Sequence, residues 1–260
     1  MRTIVNLNSD WSFLKDSKEI PSLLNEEWEV LSLPHTWNAI DGQDGGNDYF
    51  RGTCCYAKVL NKADLPQADR YYLEITGAAS SADVYLNGKH MKRHDGGFST
   101  WRVDLTEALQ EENLLSVLVD NAPNNYVYPQ VADFTFYGGL YRNVNLVCVS
   151  ESHFDLDYYG TPGIKVTPVM EGSDAKVAAE VFITNRKEGQ IVRYSLMNRD
   201  GKVIGTYEGG ANANFRIQNA HLWNGRKDPY LYTMKAELLE GETILDTVST
   251  RFGCRSYVID

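Results

Sequence analysis

Basic side chains are in short supply. Lys and Arg number 25 against 35 Asp and Glu, a formal net charge of −10 over 260 residues. Nucleic acid is therefore not an expected partner, because phosphate binding needs a basic footprint. The acidic balance reads most simply as a solubility device. Long apolar runs are missing too. No stretch approaches transmembrane length, and no apolar h-region follows Met1-Arg2-Thr3-Ile4-Val5-Asn6, so no membrane partner or secretory leader is expected. Cysteine is sparse, at four residues. Cys54 and Cys55 are adjacent, where a mutual bond would be strained. No Cys-x-x-Cys pair occurs, so neither a zinc site nor a redox motif is indicated. No Asn-x-Ser/Thr acceptor occurs. These absences together point to a reduced, cytoplasmic protein with no metal and no cofactor. Repeats, low-complexity tracts and amphipathic helices are absent as well.

What the chain has is aromatics, 12% of its residues with Tyr the most abundant, and short alternating segments. Tyr71–Ile75 and Ala82–Leu86 read as strands, and Asn87-Gly88 then supplies a type I′ hairpin turn. Trp101–Leu105 alternates, and a helical turn follows with Asp104 as N-cap and Glu107 three residues on. Leu114–Val119 and Asn143–Val149 are further strands. Periodicity fails between Asp120 and Tyr137 and again between Asp41 and Arg51. Long ordered loops of this kind are disproportionately functional. The pattern changes near His153, and Tyr158–Gly163 reads as a linker. Strands follow at Lys176–Thr184, Ile191–Met197, Lys202–Tyr207, Tyr230–Leu239 and Thr243–Thr250, with turns at Asp200-Gly201 and Glu240-Gly241. About seven short strands in such a length predict an immunoglobulin-like sandwich. The expected fold is all-β, with domains at residues 1–160 and 161–260.

Five motifs occur in order. They are Leu33-Pro34-His35-Thr36-Trp37-Asn38, the run from Gly77 to Gly88, the run from Asp133 to Leu146, Asp228-Pro229-Tyr230-Leu231-Tyr232, and Arg251-Phe252-Gly253-Cys254-Arg255. Together they resemble the N-terminal region of glycoside hydrolase family 2, which includes β-galactosidases, β-glucuronidases and β-mannosidases. Cys254 departs from the Phe more usual at that exit. The resemblance implies a jelly-roll sugar-binding domain followed by the immunoglobulin-like one. In the family a TIM barrel comes next and carries two glutamates, which retaining glycosidases hold about 5–5.5 Å apart. The family's acid/base lies in an Asn-Glu sequence at a barrel strand end. Asn25-Glu26 has no such context, and Glu111-Glu112 reads as a solvated turn. No catalytic residue is therefore expected in this chain, which should be inactive alone. A stand-alone carbohydrate-binding module and a structural adaptor are the competing readings.

The resemblance also nominates residues. Asp133, nine residues ahead of Arg142, matches a position from which family β-galactosidases reach an acid into the barrel's pocket. A carboxylate there would take charge-assisted bonds from sugar hydroxyls; the bland alternative is a turn cap. The acid would repel a glucuronate, which favours a β-galactoside as substrate. Asn47 and Asp48 lie in the other loop, which also delivers a polar side chain in the family. Sugar contact and turn chemistry are both open for Asn47, and turn chemistry leads for Asp48. Tyr137 is a candidate stacking platform for sugar. Trp37 and Trp101 read as core, His35 as a structural hydrogen-bonder, and His94-Asp95 as structural or interfacial because no nucleophile elbow accompanies it. Arg142 reads as a loop-ordering residue. The partner expected is a β-glycoside held jointly with the barrel, and the full-length enzyme is expected to be a homo-oligomer, as relatives often are.

Overall fold

A computed structural model describes residues 1–25, 27–43, 48–129 and 131–257. The chain forms two compact units, one of Thr3–Cys148 and one of Val149–Asp260 together with Met1–Arg2. The division thus falls between 148 and 149 rather than between 160 and 161. Local packing explains the shift. His153–Phe154 pairs with Ile183–Thr184, Tyr158 stacks on Phe182 with ring centres 4.0 Å apart, and the Phe182 amide donates to the Gly163 carbonyl. The run read as a linker is part of the second unit.

The strands of the first unit are β1 (Thr3–Asn6), β2 (Trp11–Leu14), β3 (Glu29–Leu31), β4 (Thr53–Asn61), β5 (Arg70–Ile75), β6 (Ser81–Leu86), β7 (Lys89–Asp95), β8 (Trp101–Asp104), β9 (Glu112–Asp120) and β10 (Val144–Val149). They make a four-stranded sheet, β1-β10-β5-β8, and a six-stranded sheet, β3-β2-β4-β9-β6-β7. Trp11, Tyr56, Leu73, Val84, Val117 and Leu146 belong to one shared core. Asn87 and Gly88 turn β6 into β7 with φ of +52° and +77°, the backbone that an Asn-Gly hairpin favours. After β8 the chain makes a 3-10 turn, Thr106–Ala108, which no side chain caps; Asp104 instead accepts the Thr106 amide. Strand β4 escapes a periodicity reading because Thr53–Ala57 is buried at every position. It lies between β2 and β9, and a strand covered on both faces loses its alternation. Its Cys54 and Cys55 are free thiols, which burial pushes up to about 11 and about 12.

The second unit comprises β11 (His153–Phe154), β12 (Ile164–Glu171), β13 (Asp174–Val181), β14 (Ile183–Thr184), β15 (Ile191–Met197), β16 (Val203–Gly209), β17 (Asn212–Ile217), β18 (Tyr232–Glu240) and β19 (Thr243–Phe252). A three-stranded sheet, β12-β13-β17, and a four-stranded sheet, β16-β15-β18-β19, make the sandwich. Its core holds Val177, Tyr194, Leu196, Met234 and Leu238. β12 carries Pro168, which signals against a strand, and it occupies the sheet edge where proline is tolerated. The all-β class and the two sandwiches are as the sequence predicts.

Among the described residues, each unit holds a buried ion pair. Arg102 Nη2 lies 2.6 Å from Glu74 Oε2 in the first, and Asn145 donates to the other Glu74 oxygen. In the second, Arg2 makes two bonds to the fully buried Asp246, which also accepts the Phe154 amide. Removing one partner strands a charge and costs about 3–5 kcal/mol, whereas apolar replacement of both is far cheaper. Glu74→Ala is therefore expected to lower the first unit's stability by about 3–5 kcal/mol, read as an earlier denaturation midpoint. Adding Arg102→Met should recover most of the loss; a double variant as weak as the single one would contradict the account.

Candidate functional site

Two buried asparagines organise the loops of the first unit. Asn38 is 0% and Asn121 is 1% exposed. The Asn38 amide nitrogen donates to Asp41 Oδ1 and to the Phe50 carbonyl. Its oxygen accepts from Asn121 Nδ2 and from the Gly138 amide. Asn121 donates its second hydrogen to the Phe136 carbonyl and accepts the Gly52 amide. All four hydrogen-bonding positions of the Asn38 side chain are filled. A buried polar network completed in this way specifies one arrangement of the backbone it joins.

Further bonds close the two long loops on each other. The Thr135 hydroxyl and the Tyr137 phenol both donate to the Gly42 carbonyl, and the Phe136 amide donates to the Tyr49 oxygen. Burial works against the Asp41 charge, yet the Phe50 amide, Asn38 and Lys15 outweigh it and hold the carboxyl below its ordinary value. The Gly138-Gly139 step lets this assembly sit on the core. A Cβ at Gly138 would lie 2.0 Å from a ring carbon of Trp37, and Gly139 has a φ of +128° with the His35 carbonyl 2.4 Å from its hypothetical Cβ. Beneath the step, Tyr56 and His35 Nδ1 are 2.8 Å apart.

Between the ordered loops and residues 79–98 lies a groove of about 420 Å³. Its walls include Phe98, Tyr128, Phe134, Phe136, Tyr137 and Tyr141. The Arg51 guanidinium sits 4.6 Å from the centre of the Phe136 ring and donates to the Asn121 carbonyl.

The expected site residues divide unevenly. Tyr137 is 41% exposed and lines the groove. Asp133 is exposed, accepts no hydrogen bond from another described residue, and does not line the groove although its neighbour Phe134 does. Asp48 is likewise exposed. Asn47 lies outside the described residues, as does Glu26. Trp37 and Trp101 are buried; Trp37 stacks on Phe13 and Trp101 on His94. His35 is structural, and so is His94, whose Nε2 meets the Ser99 hydroxyl. Arg142 donates to the carbonyls of Phe98 and Thr76. Among the described residues no group of three acids, histidines or cysteines is placed to hold a metal. Sequence reasoning missed Asn38, Asn121 and the groove. The aromatic density between Tyr126 and Tyr141 was its one visible signal.

Comparison with known proteins follows the same division into two. Residues 51–138 match the glycosyl hydrolase 2 galactose-binding domain-like family, and residues 162–255 match glycosyl hydrolases family 2. A β-glucuronidase of Bacteroides fragilis is 31% identical over 100% of this chain and 39% of its own length. A β-galactosidase of Thermoanaerobacter pseudethanolicus is 25% identical over 98% of the chain and 36% of its own length. The crystal structure of an FMN-binding β-glucuronidase from Facaelibacterium prausnitzii superposes with a TM-score of 0.90 at 37% identity, covering 100% of this chain and 40% of that one. The chain thus spans well under half the length of these relatives.

Two expectations follow from the geometry. Asn121→Ala takes the donor from the Phe136 carbonyl and the acceptor from the Gly52 amide, at roughly 1–3 kcal/mol for each group left unpaired. Amide exchange should then accelerate in residues 38–52 and 134–138 while the second unit's rates stay fixed. Acid should also weaken the first unit. Burial holds His35 and His94 below the ordinary 6.5, against the opposing pull of Glu29 and Asp95. A histidine with a depressed folded value contributes its full stability above the unfolded value and loses it as pH falls. The first unit's denaturation midpoint should be level above about pH 7 and drop from about pH 6.5 downward. A double replacement, His35→Asn with His94→Asn, should flatten that decline.

Proposed function

Because the chain belongs to glycoside hydrolase family 2 and corresponds to the family's N-terminal region, we propose that it is the non-catalytic leading part of a β-glycosidase. The observation carrying this reading is the coverage. Relatives named as glycosidases match the chain end to end, yet the chain spans only 39% of the first of them. The whole protein would hydrolyse β-glycosides with retention, through a covalent glycosyl intermediate formed on carboxylates carried outside this chain. The first unit would brace the catalytic domain and lend it polar side chains; the second would serve as spacer and interface. Asp133 is the leading candidate for a sugar contact, supported by its exposure. Asp48 and Asn47 are secondary.

For the sugar we rank β-glucuronide ahead of β-galactoside. Two of the three similar proteins described above are named β-glucuronidases, one at 37% identity. The β-galactosidase among the relatives keeps the second reading in place. The flavin in the name of the 37% identical structure is a property of that protein.

The test is steady-state kinetics on the full-length protein with paired aryl β-glucuronide and β-galactoside substrates. A kcat/KM ratio above about tenfold, equivalent to 1.4 kcal/mol, identifies the sugar. Asp133→Ala in the same protein should raise KM several-fold, and unchanged kinetics would remove its role. The chain of 260 residues is expected to turn over neither substrate.

A further inference from the structure

The groove of the first unit is chemically unlike a sugar site. A pyranose presents hydroxyls around its rim and needs a matching set of donors and acceptors. The groove has spent most of its side-chain donors. The hydroxyls of Ser80, Thr135, Tyr137 and Tyr141 donate to the carbonyls of Asp120, Gly42, Gly42 and Gly97. The Asn121 side chain is consumed by Asn38, Phe136 and Gly52. What the groove offers is aromatic surface. Phe98, Tyr128 and Phe134 are 77%, 83% and 58% exposed at a groove that Phe136 and Tyr137 also line. Exposed rings gathered around one concavity are uncommon on a protein surface and mark a binding site. A volume of about 420 Å³ falls in the range of small-molecule sites, which are mostly apolar with few polar groups.

Charge narrows the ligand further. Arg51 is the single charged side chain among the described lining residues. A cationic ligand is disfavoured, and a neutral ring or one with an acidic hydroxyl is favoured. Two of the walls are tied down, Phe136 by its bond from Asn121 and Tyr137 by its bond to Gly42. Aromatic walls suit flat partners, which stack offset or edge-on with ring centres about 4.5–7 Å apart.

We propose that this groove binds a flat phenolic ring system, the aglycone of an aryl glycoside, and not the sugar. The assignment as aglycone rests on the glycosidase reading, whereas the existence of an aryl site does not. It makes aryl glycosides with two or more fused rings the preferred substrate class. It also gives Phe98 and Phe134 a task that the sugar-binding expectation left empty.

The experiment uses the natural full-length protein and 2-naphthol as probe, followed by naphthol fluorescence and by calorimetry. Saturable binding at one site per chain is expected. Phe98→Ala and Phe134→Ala, made singly at exposed positions with unchanged melting curves, should each weaken it at least fivefold. Methyl β-glucuronide and methyl β-galactoside should not displace the naphthol. In turnover, the same variants should lower kcat/KM for a naphthyl glycoside at least fivefold and leave the phenyl glycoside within twofold. Absence of saturable naphthol binding overturns the proposal, and so does binding that both variants retain or that a methyl glycoside displaces. If another part of the full-length chain fills the groove, the probe will not bind, which is an overturning result. If no glycoside is turned over but naphthol binds and responds to both variants, the glycosidase reading fails while the aryl site stands.

Discussion

The contact between Asn38 and Asn121 is the constraint on which the first unit's surface depends. Two amides buried to 0% and 1% exposure could not remain there unpaired, since each unsatisfied polar group costs roughly 1–3 kcal/mol. They are satisfied by each other, by the Asp41 carboxylate and by backbone drawn from two separate segments, Phe50–Gly52 and Phe136–Gly138. The stretches at Phe50–Gly52 and Phe136–Gly138 are thereby tied to one point.

Glycine completes the arrangement where side chains would prevent it. Gly138 lies against the Trp37 indole and Gly139 against the His35 carbonyl. The motif residues Leu33–Asn38 and the Gly-Gly step thus turn out to be two halves of one packing contact. Their pairing explains why a histidine and a tryptophan that invite a catalytic or sugar-stacking reading are occupied with structure instead. His35 spends its ring on Tyr56, and Trp37 spends its face on Phe13.

The second unit rests on different physics. Its sandwich alternates cleanly, as in β13 and β15, and its loops are joined by the buried Gln190, which donates to Ser152 and Glu240 and accepts the Lys187 amide. Its most deeply buried charge among the described residues is Asp246, answered by Arg2 from the start of the chain. An ion pair that joins residues 244 positions apart leaves no local trace in sequence. The free, buried thiols of both units carry raised values from burial and have no part in the site.

Periodicity and turn chemistry were enough to determine much of this protein. The alternating strands, the Asn87-Gly88 hairpin, the two-sandwich class and the family motifs are all written in local order, because a half-buried strand repeats every second residue and a tight turn demands particular side chains. Strand β4 was illegible because burial on both faces erases that repeat. The unit boundary was misplaced by twelve residues, since the Tyr-Tyr-Gly-Thr-Pro-Gly run of residues 158–163 reads as linker until Tyr158 is seen to stack on Phe182. The site was legible only as two suspicious loops and an aromatic-rich segment. Which polar atoms remain available was decided by tertiary structure alone. Hydrogen bonds between Asn38 and Asn121, or Thr135 and Gly42, join residues 83 and 93 positions apart, and no local pattern encodes a partner at that distance. That bookkeeping separates a groove of spent hydroxyls and open rings from the sugar pocket that the motifs suggested.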